Sequence, residues 1–86
     1  MAEQYIDTTR VGKFYYKDPD MTILHRTDGP ACEYKNGNKM WFVNGKRHRL
    51  DGPAAEYFIS GVNSWYVNGE SIFETDKRGK MYRLID

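Results

Sequence analysis

The side chains that could do chemistry in this chain are two histidines, two glutamates and one cysteine. His25 and His48 stand at equivalent positions of a duplicated segment, as do Glu33 and Glu56, and Cys32 is the single cysteine. A metal site needs three or four convergent ligands, and a nucleophilic site needs its nucleophile beside a base. Side chains that recur once per copy are typical of architecture, so the sequence predicts no catalytic residue, no metal site and no cofactor.

These residues belong to a motif that occurs twice. Residues 25–34 read His-Arg-Thr-Asp-Gly-Pro-Ala-Cys-Glu-Tyr, and residues 48–57 read His-Arg-Leu-Asp-Gly-Pro-Ala-Ala-Glu-Tyr. Each copy continues through a single glycine to Trp-x-Val-Asn-Gly, at residues 41–45 and 65–69. The offset grows from 23 to 24 residues, which places one inserted residue in a turn of the second copy.

Length and composition fit one all-β domain over residues 1–86. Copies over about 25–47 and 48–71 would form its centre, with degenerate half-copies at both ends. A chain of this length has one modest core. The net charge of +1 argues against a strongly electrostatic nucleic-acid binder or a polybasic membrane anchor. One cysteine leaves no intramolecular disulfide, and nothing in the sequence resembles a secretory or membrane-spanning segment. The expected setting is therefore a reducing cytoplasm with no membrane partner.

Two kinds of turn signal divide the motif into strands. Asn-Gly pairs occur at residues 36–37, 44–45 and 68–69. Such pairs predict two-residue type I′ hairpin turns, in which both central residues have positive φ. Proline cannot donate to a ladder, so the strands after the two Asp-Gly-Pro segments should begin at Ala31 and Ala54. The predicted fold is an antiparallel β-meander of stacked 23–24-residue hairpin repeats, with about seven to nine strands.

The turns also predict which residues face each other. A two-residue loop at 36–37 places Cys32 opposite Trp41, the loop at 44–45 places His48 opposite Trp41, and the loop at 68–69 places Ile72 opposite Trp65. Alternate residues of a strand share a face. The predicted core face therefore gathers Cys32, Tyr34, Trp41, Val43, Tyr57, Ile59, Trp65 and Val67.

The opposite face, the positions where the copies differ and the chain end carry the candidate partner-binding residues. Aromatic side chains interleaved with arginines are typical of recognition surfaces. The candidates are Met40, Phe42, Arg47, Arg49, Phe58, Tyr66, Phe73, Lys77, Arg78, Lys80 and Arg83. Part of this face could instead pack against the termini.

The repeat resembles MORN-type repeats in its period, its paired strands and its Trp-x-Val-Asn-Gly signature. The fuller pattern over residues 25–69 resembles a divergent repeat of small proteins from large phages and other large DNA viruses. This resemblance implies a binding or scaffolding surface without catalytic residues. It also implies the role of a small viral accessory protein, one that binds and inhibits a host protein such as a defence factor or a toxin.

Three functions are therefore carried forward from the sequence. The first is non-enzymatic binding of a protein, in the host cytoplasm if the chain is viral. The second is binding of RNA or single-stranded DNA, because basic residues beside aromatic rings hold single strands. The third is self-assembly, including a homodimer, because an open meander exposes two edge strands.

Overall fold

The computed structural model describes residues 4–76, 78 and 81–83, the last three through their backbone alone. The strands are β1 (Tyr5–Thr8), β2 (Gly12–Tyr16), β3 (Cys32–Tyr34), β4 (Lys39–Met40), β5 (Phe42–Val43), β6 (Lys46–Arg47), β7 (Ala55–Glu56), β8 (Asn63–Val67), β9 (Glu70–Thr75) and β10 (Met81–Arg83). Within those ranges the chain forms no helix that is long and apolar enough to cross a membrane.

Eight of the strands form one antiparallel sheet in the order β1-β2-β3-β4-β7-β8-β9-β10. The other two, β5 and β6, form a hairpin that leaves this sheet between β4 and β7. The prediction of an all-β antiparallel meander is confirmed in this form. The strand number is higher than expected because the segment from Lys39 to Val43 is interrupted at Trp41 and counts as two strands.

Three hairpins lie next to one another, and in chain order they have their turns between Tyr16 and Leu24, at residues 44–45 and at residues 68–69. They are called the first, second and third hairpins. In each hairpin an aromatic residue pairs across to a different partner: Tyr16 to Leu24, Phe42 to Arg47 and Tyr66 to Ser71. Backbone amides join neighbouring hairpins, with Arg26 N donating to Phe42 O (3.0 Å), Gly45 N to Leu24 O (2.8 Å), Arg49 N to Tyr66 O (3.1 Å) and Gly69 N to Arg47 O (2.8 Å). In the second and third hairpins this places Phe42 and Tyr66 on either side of Arg47.

Two of the three Asn-Gly turns have the predicted conformation. The φ angles are 52° and 79° at Asn44 and Gly45, and 51° and 85° at Asn68 and Gly69. Positive φ at both central residues defines the type I′ turn. His48 N donates to Trp41 O at 3.1 Å, so the predicted pairing of these two residues is confirmed.

The prediction for the turn at 36–37 is wrong by one residue. Only Gly37 has positive φ, at 98°, and Tyr34 N donates to Asn38 O, so the loop has three residues. Cys32 consequently pairs with Met40 and not with Trp41. A three-residue loop with glycine in the left-handed position is the next most common hairpin connection and uses the same dipeptide.

The predicted pairing of Trp65 with Ile72 is also wrong. The register shifts between Trp65 and Tyr66, so that Trp65 faces Phe73 and Ile72 is the extra residue of a bulge. A bulge places two residues of one strand opposite one residue of the other. The indole of Trp65 then meets the ring of Phe73 edge to face at 6.3 Å.

The core is made of smaller side chains than predicted. Cys32 is buried as expected, and the other buried apolar residues in the described part of the chain are three alanines, Ala31, Ala54 and Ala55, and one larger residue, Tyr15. The tryptophans, valines and tyrosines assigned to the core face are half-buried. The exception is Ile59, which is 81% exposed because it lies in the turn after β7. The Cα atoms extend 39 × 27 × 18 Å, and so thin a body has little room for large side chains beneath its surface.

The strands after the two prolines begin one residue later than predicted, at Cys32 and Ala55. Ala31 and Ala54 instead use their carbonyls to link the loop to the preceding hairpin. Tyr15 N donates to Ala31 O at 2.8 Å, and Trp41 N donates to Ala54 O at 2.7 Å. Outside the two repeat copies, β1 precedes the first copy, and β10 follows β9 at the other end of the sheet.

Candidate functional site

Two arginines staple the Asp-Gly-Pro loops to the sheet, and the second repeats the contacts of the first. Arg49 Nε donates to Asp51 (3.0 Å), and Arg49 Nη1 donates to Pro53 O (3.0 Å) and to Glu56 (3.1 Å). Its guanidinium lies 3.9 Å from the centroid of the Trp41 ring. These contacts pair the charge of Arg49 and hold the loop in place, so Arg49 has a structural role.

Arg26 makes the same set with Asp28, the carbonyl of Pro30 and Glu33, and lies 4.0 Å from the centroid of Tyr15. The hydrogen bond from Arg26 lowers the pKa of the Asp28 carboxyl below its ordinary value. The same Arg-Asp ion pair therefore forms in both copies.

The histidines also serve the fold. Asn44 N donates to Nδ1 of His25, and Asn68 N donates to Nδ1 of His48, each at 3.0 Å. Each imidazole thus holds the tip of the next Asn-Gly turn. In the part of the chain that is described, no three His, Cys, Asp or Glu side chains are grouped to hold a metal ion.

Four of the predicted binding residues come together on one face. Arg47 Nη1 donates to the hydroxyl of Tyr66 at 3.2 Å, and Nη2 lies 3.7 Å from the sulfur of Met40. The guanidinium carbon is 5.2 Å from the centroid of the Tyr66 ring and 5.9 Å from that of Phe42. All four side chains are half-buried. We call Met40, Phe42, Arg47 and Tyr66 the Arg47 face.

The other candidates that the structure describes make contacts outside this cluster. Arg49 lies over Trp41, and Phe73 packs against Trp65. Phe58 is in the turn after β7, where its ring lies close to Gly37. At the chain end, Arg78 is exposed, and its amide donates to Asp76. Lys77, Lys80 and the Arg83 side chain lie outside the described residues.

Sequence reasoning named Phe58 as a binding candidate but missed Val11, an exposed apolar residue along the same edge. Val11 is 61% exposed and Phe58 is 73% exposed, in the turns after β1 and β7. The turn between them connects the two, since Lys35 N donates to Val11 O and Phe58 N donates to the side-chain oxygen of Asn38. The residue inserted in the second copy belongs to this edge and is the one signal that could have drawn attention to it.

A groove of about 530 Å³ separates the two Asp-Gly-Pro loops, with Trp41, Val43 and His48 on its floor. Each aspartate on its walls is paired with the arginine of its own loop. Leu50, at the rim, is 80% exposed. No hydrogen bond joins a nucleophile to a base among the residues that line the groove. The groove is therefore a weaker candidate for a catalytic site than the Arg47 face is for a binding site.

Burial makes Cys32 unreactive. Burial raises the pKa of this thiol to about 11, while Arg47 and a hydrogen bond with Tyr34 lower it by less. The thiolate is the reactive form. We expect Ellman's reagent to label the native protein at neutral pH far more slowly than the protein in guanidinium chloride. Rapid labelling of the native protein would contradict the buried, protonated assignment.

Comparisons with protein-family models, with curated proteins and with solved structures find no match to this chain. The resemblance to MORN-type repeats therefore rests on the sequence motifs alone. Function has to be argued from the geometry of the Arg47 face and from the contrast between the repeat copies.

Proposed function

We propose that this chain is a non-enzymatic protein-binding module, built of stacked 23–24-residue hairpin repeats, whose binding surface is the Arg47 face. The observation that carries this proposal is the gathering of four candidate residues, predicted from sequence, into one half-buried aromatic and cationic cluster. Tyrosine and arginine are enriched among the residues that dominate binding energy at protein interfaces, and methionine adapts to varied partner surfaces.

The contrast between the three hairpins supports this choice of surface. The position paired with the aromatic residue is Leu24 in the first hairpin, Arg47 in the second and Ser71 in the third. A position that accepts leucine, arginine and serine is not dictated by the hairpin geometry. The arginine there is available for a function specific to this chain.

The viral resemblance extends the proposal to a biological role. We propose a small accessory protein of a large phage or related virus that acts in the host cytoplasm and inhibits a host protein, such as a defence factor or toxin. This extension is supported by the repeat motif and the small size of the chain, and it is an argument by analogy.

The proposal predicts that Tyr66→Ala lowers the capture of a protein partner by about tenfold or more, since truncating a central tyrosine removes a large contact area. The measurement is affinity capture from a nuclease-treated bacterial lysate, with quantification of the enriched protein. Leu50→Ser is the matched control, because it removes a more exposed apolar side chain that is not part of the Arg47 face. Equal losses for both variants, with both still folded, would contradict the assignment of the surface.

Binding of single-stranded nucleic acid is the second candidate. A guanidinium between two aromatic rings is an arrangement that also stacks bases and contacts phosphate. Affinity for random RNA or single-stranded DNA that falls steeply with salt would favour this candidate. Absence of binding at low salt would remove it.

A further inference from the structure

Arg47 differs from the two stapling arginines in its partners. Arg26 and Arg49 form all four ion pairs found among the described residues, two each. Arg47 is half-buried as they are, but its side-chain partners are a phenol oxygen, a thioether sulfur and two aromatic rings. Its charge therefore lies among neutral groups.

A guanidinium surrounded by neutral groups does not regain all of the hydration energy that it loses when it is withdrawn from water. A charged group withdrawn from water is stable when it is paired and hydrogen-bonded. Cation–π contacts and a neutral hydrogen bond return part of that hydration energy. Within the described residues, two of the five guanidinium N–H groups have an acceptor, and the other three have none.

The fold does not require this charge, since Leu24 and Ser71 hold the corresponding positions of the other hairpins. An incompletely compensated cation at a position that the fold leaves open is typical of a binding anchor. Aromatic rings around it would exclude water and strengthen a charged hydrogen bond made there.

We propose that Arg47 binds an aspartate or glutamate carboxylate of the partner protein, with Met40, Phe42 and Tyr66 contacting an apolar residue beside that carboxylate. This inference rests on the proposed function and names the chemistry that the partner must present. A guanidinium binds a carboxylate through two parallel N–H donors, which gives orientation as well as affinity.

A carboxylate fits better than the phosphates of a nucleic acid. Arg47 is the single charged residue of the Arg47 face, whereas tight nucleic-acid binding needs several phosphates neutralised along a track. A sulfur and two half-buried rings beside one cation suit an apolar side chain next to one acidic residue. The partner is thus expected to present a short segment with one acidic and one large apolar residue.

The test is selection of random peptides of about 12 residues, displayed on phage, against immobilised wild-type protein, Arg47→Leu and Arg47→Lys. Arg47→Leu installs the residue found at the corresponding position of the first hairpin, and a thermal melt confirms that it folds. We expect the wild type to enrich peptides that carry Asp or Glu near a large apolar residue. Arg47→Leu should bind the best of these peptides at least about tenfold more weakly, and Arg47→Lys should fall between the two.

A double-mutant cycle completes the experiment. Changing the peptide Asp to Asn should weaken binding to the wild type and change binding to Arg47→Leu little. Apolar peptides enriched without any acidic preference would overturn this inference and leave the proposed function standing. No enrichment on the wild type would overturn both. Binding of random RNA that depends on Arg47, in place of acidic peptides, would overturn the carboxylate assignment.

Discussion

Trp41→Ala is expected to lower the free energy of unfolding by about 3 kcal/mol, which is a fall in melting temperature on the order of 15 °C in a domain of this size. The indole lies beneath the guanidinium of Arg49, and the backbone of Trp41 links the loop at Ala54 to the hairpin strand at His48. Truncation leaves a gap at the centre of the molecule and removes the surface on which the arginine rests.

The matched control is Trp41→Tyr. Tyr15 lies beneath Arg26 in the first hairpin, so the chain itself shows that a phenol ring can serve this arrangement. We expect Trp41→Tyr to retain most of the stability that Trp41→Ala loses, since a ring remains for the cation to cover. Circular dichroism during thermal and urea unfolding measures both variants. Equal loss for both would show that the packing volume of the indole, and not its role as a platform, stabilises the fold.

Arg49→Met is expected to lower the free energy of unfolding by about 2 kcal/mol. Methionine keeps an apolar stem over Trp41 but removes the bonds to the Pro53 carbonyl and to Glu56. The Arg49 side chain is 22% exposed, so those bonds form largely out of water. Urea titration with a common slope for the wild type and the variant measures the difference.

Asp51→Asn separates the contribution of the loop carbonyl from that of the surface ion pair. The Asp51 side chain is 87% exposed, and ion pairs at such positions contribute little. We therefore expect Asp51→Asn to leave the unfolding midpoint unchanged within error. A loss as large as that of Arg49→Met would show that the ion pair carries the staple.

Turn chemistry explains both what could be predicted from the sequence and where prediction failed. Asn44 and Asn68 adopt positive φ as their dipeptides indicate. The Asn-Gly pair at residues 36–37 fits either a two-residue or a three-residue loop. The choice between them depends on contacts with residues that are distant in sequence. Lys35 N donates to Val11 O, which belongs to the neighbouring turn. A one-residue difference in loop length changes every pairing in the hairpin.

Strand alternation makes part of the candidate face predictable from the sequence. Met40, Phe42 and Arg47 were placed together from strand alternation, and they do form one cluster with Tyr66. Alternation would also have put Arg49 there, but β6 ends at Arg47, and the chain beyond it turns toward Trp41. Alternation holds only within a strand.

Phe73 shows a second limit of sequence patterns. Local sequence does not show where a bulge inserts, and the bulge at Ile72 brings Phe73 against Trp65. The ring of Phe73 thus covers Trp65, whereas the guanidinium of Arg49 covers Trp41. Phe73 therefore packs against Trp65 at this end of the sheet. In a hairpin without the bulge it would lie on the opposite face from Trp65, so the sequence pattern does not predict this packing.

Site-specific photo-cross-linking determines whether the Arg47 face binds a protein. Benzoyl-phenylalanine is introduced at Phe42, within the face, and separately at Leu50, an exposed apolar position outside it. Each protein is irradiated in bacterial lysate, once with and once without nuclease treatment. We predict one dominant protein adduct from position 42 and none of that mass from position 50. The same adduct from both positions, an adduct of nucleic acid, or only a dimer of the chain itself would contradict the account.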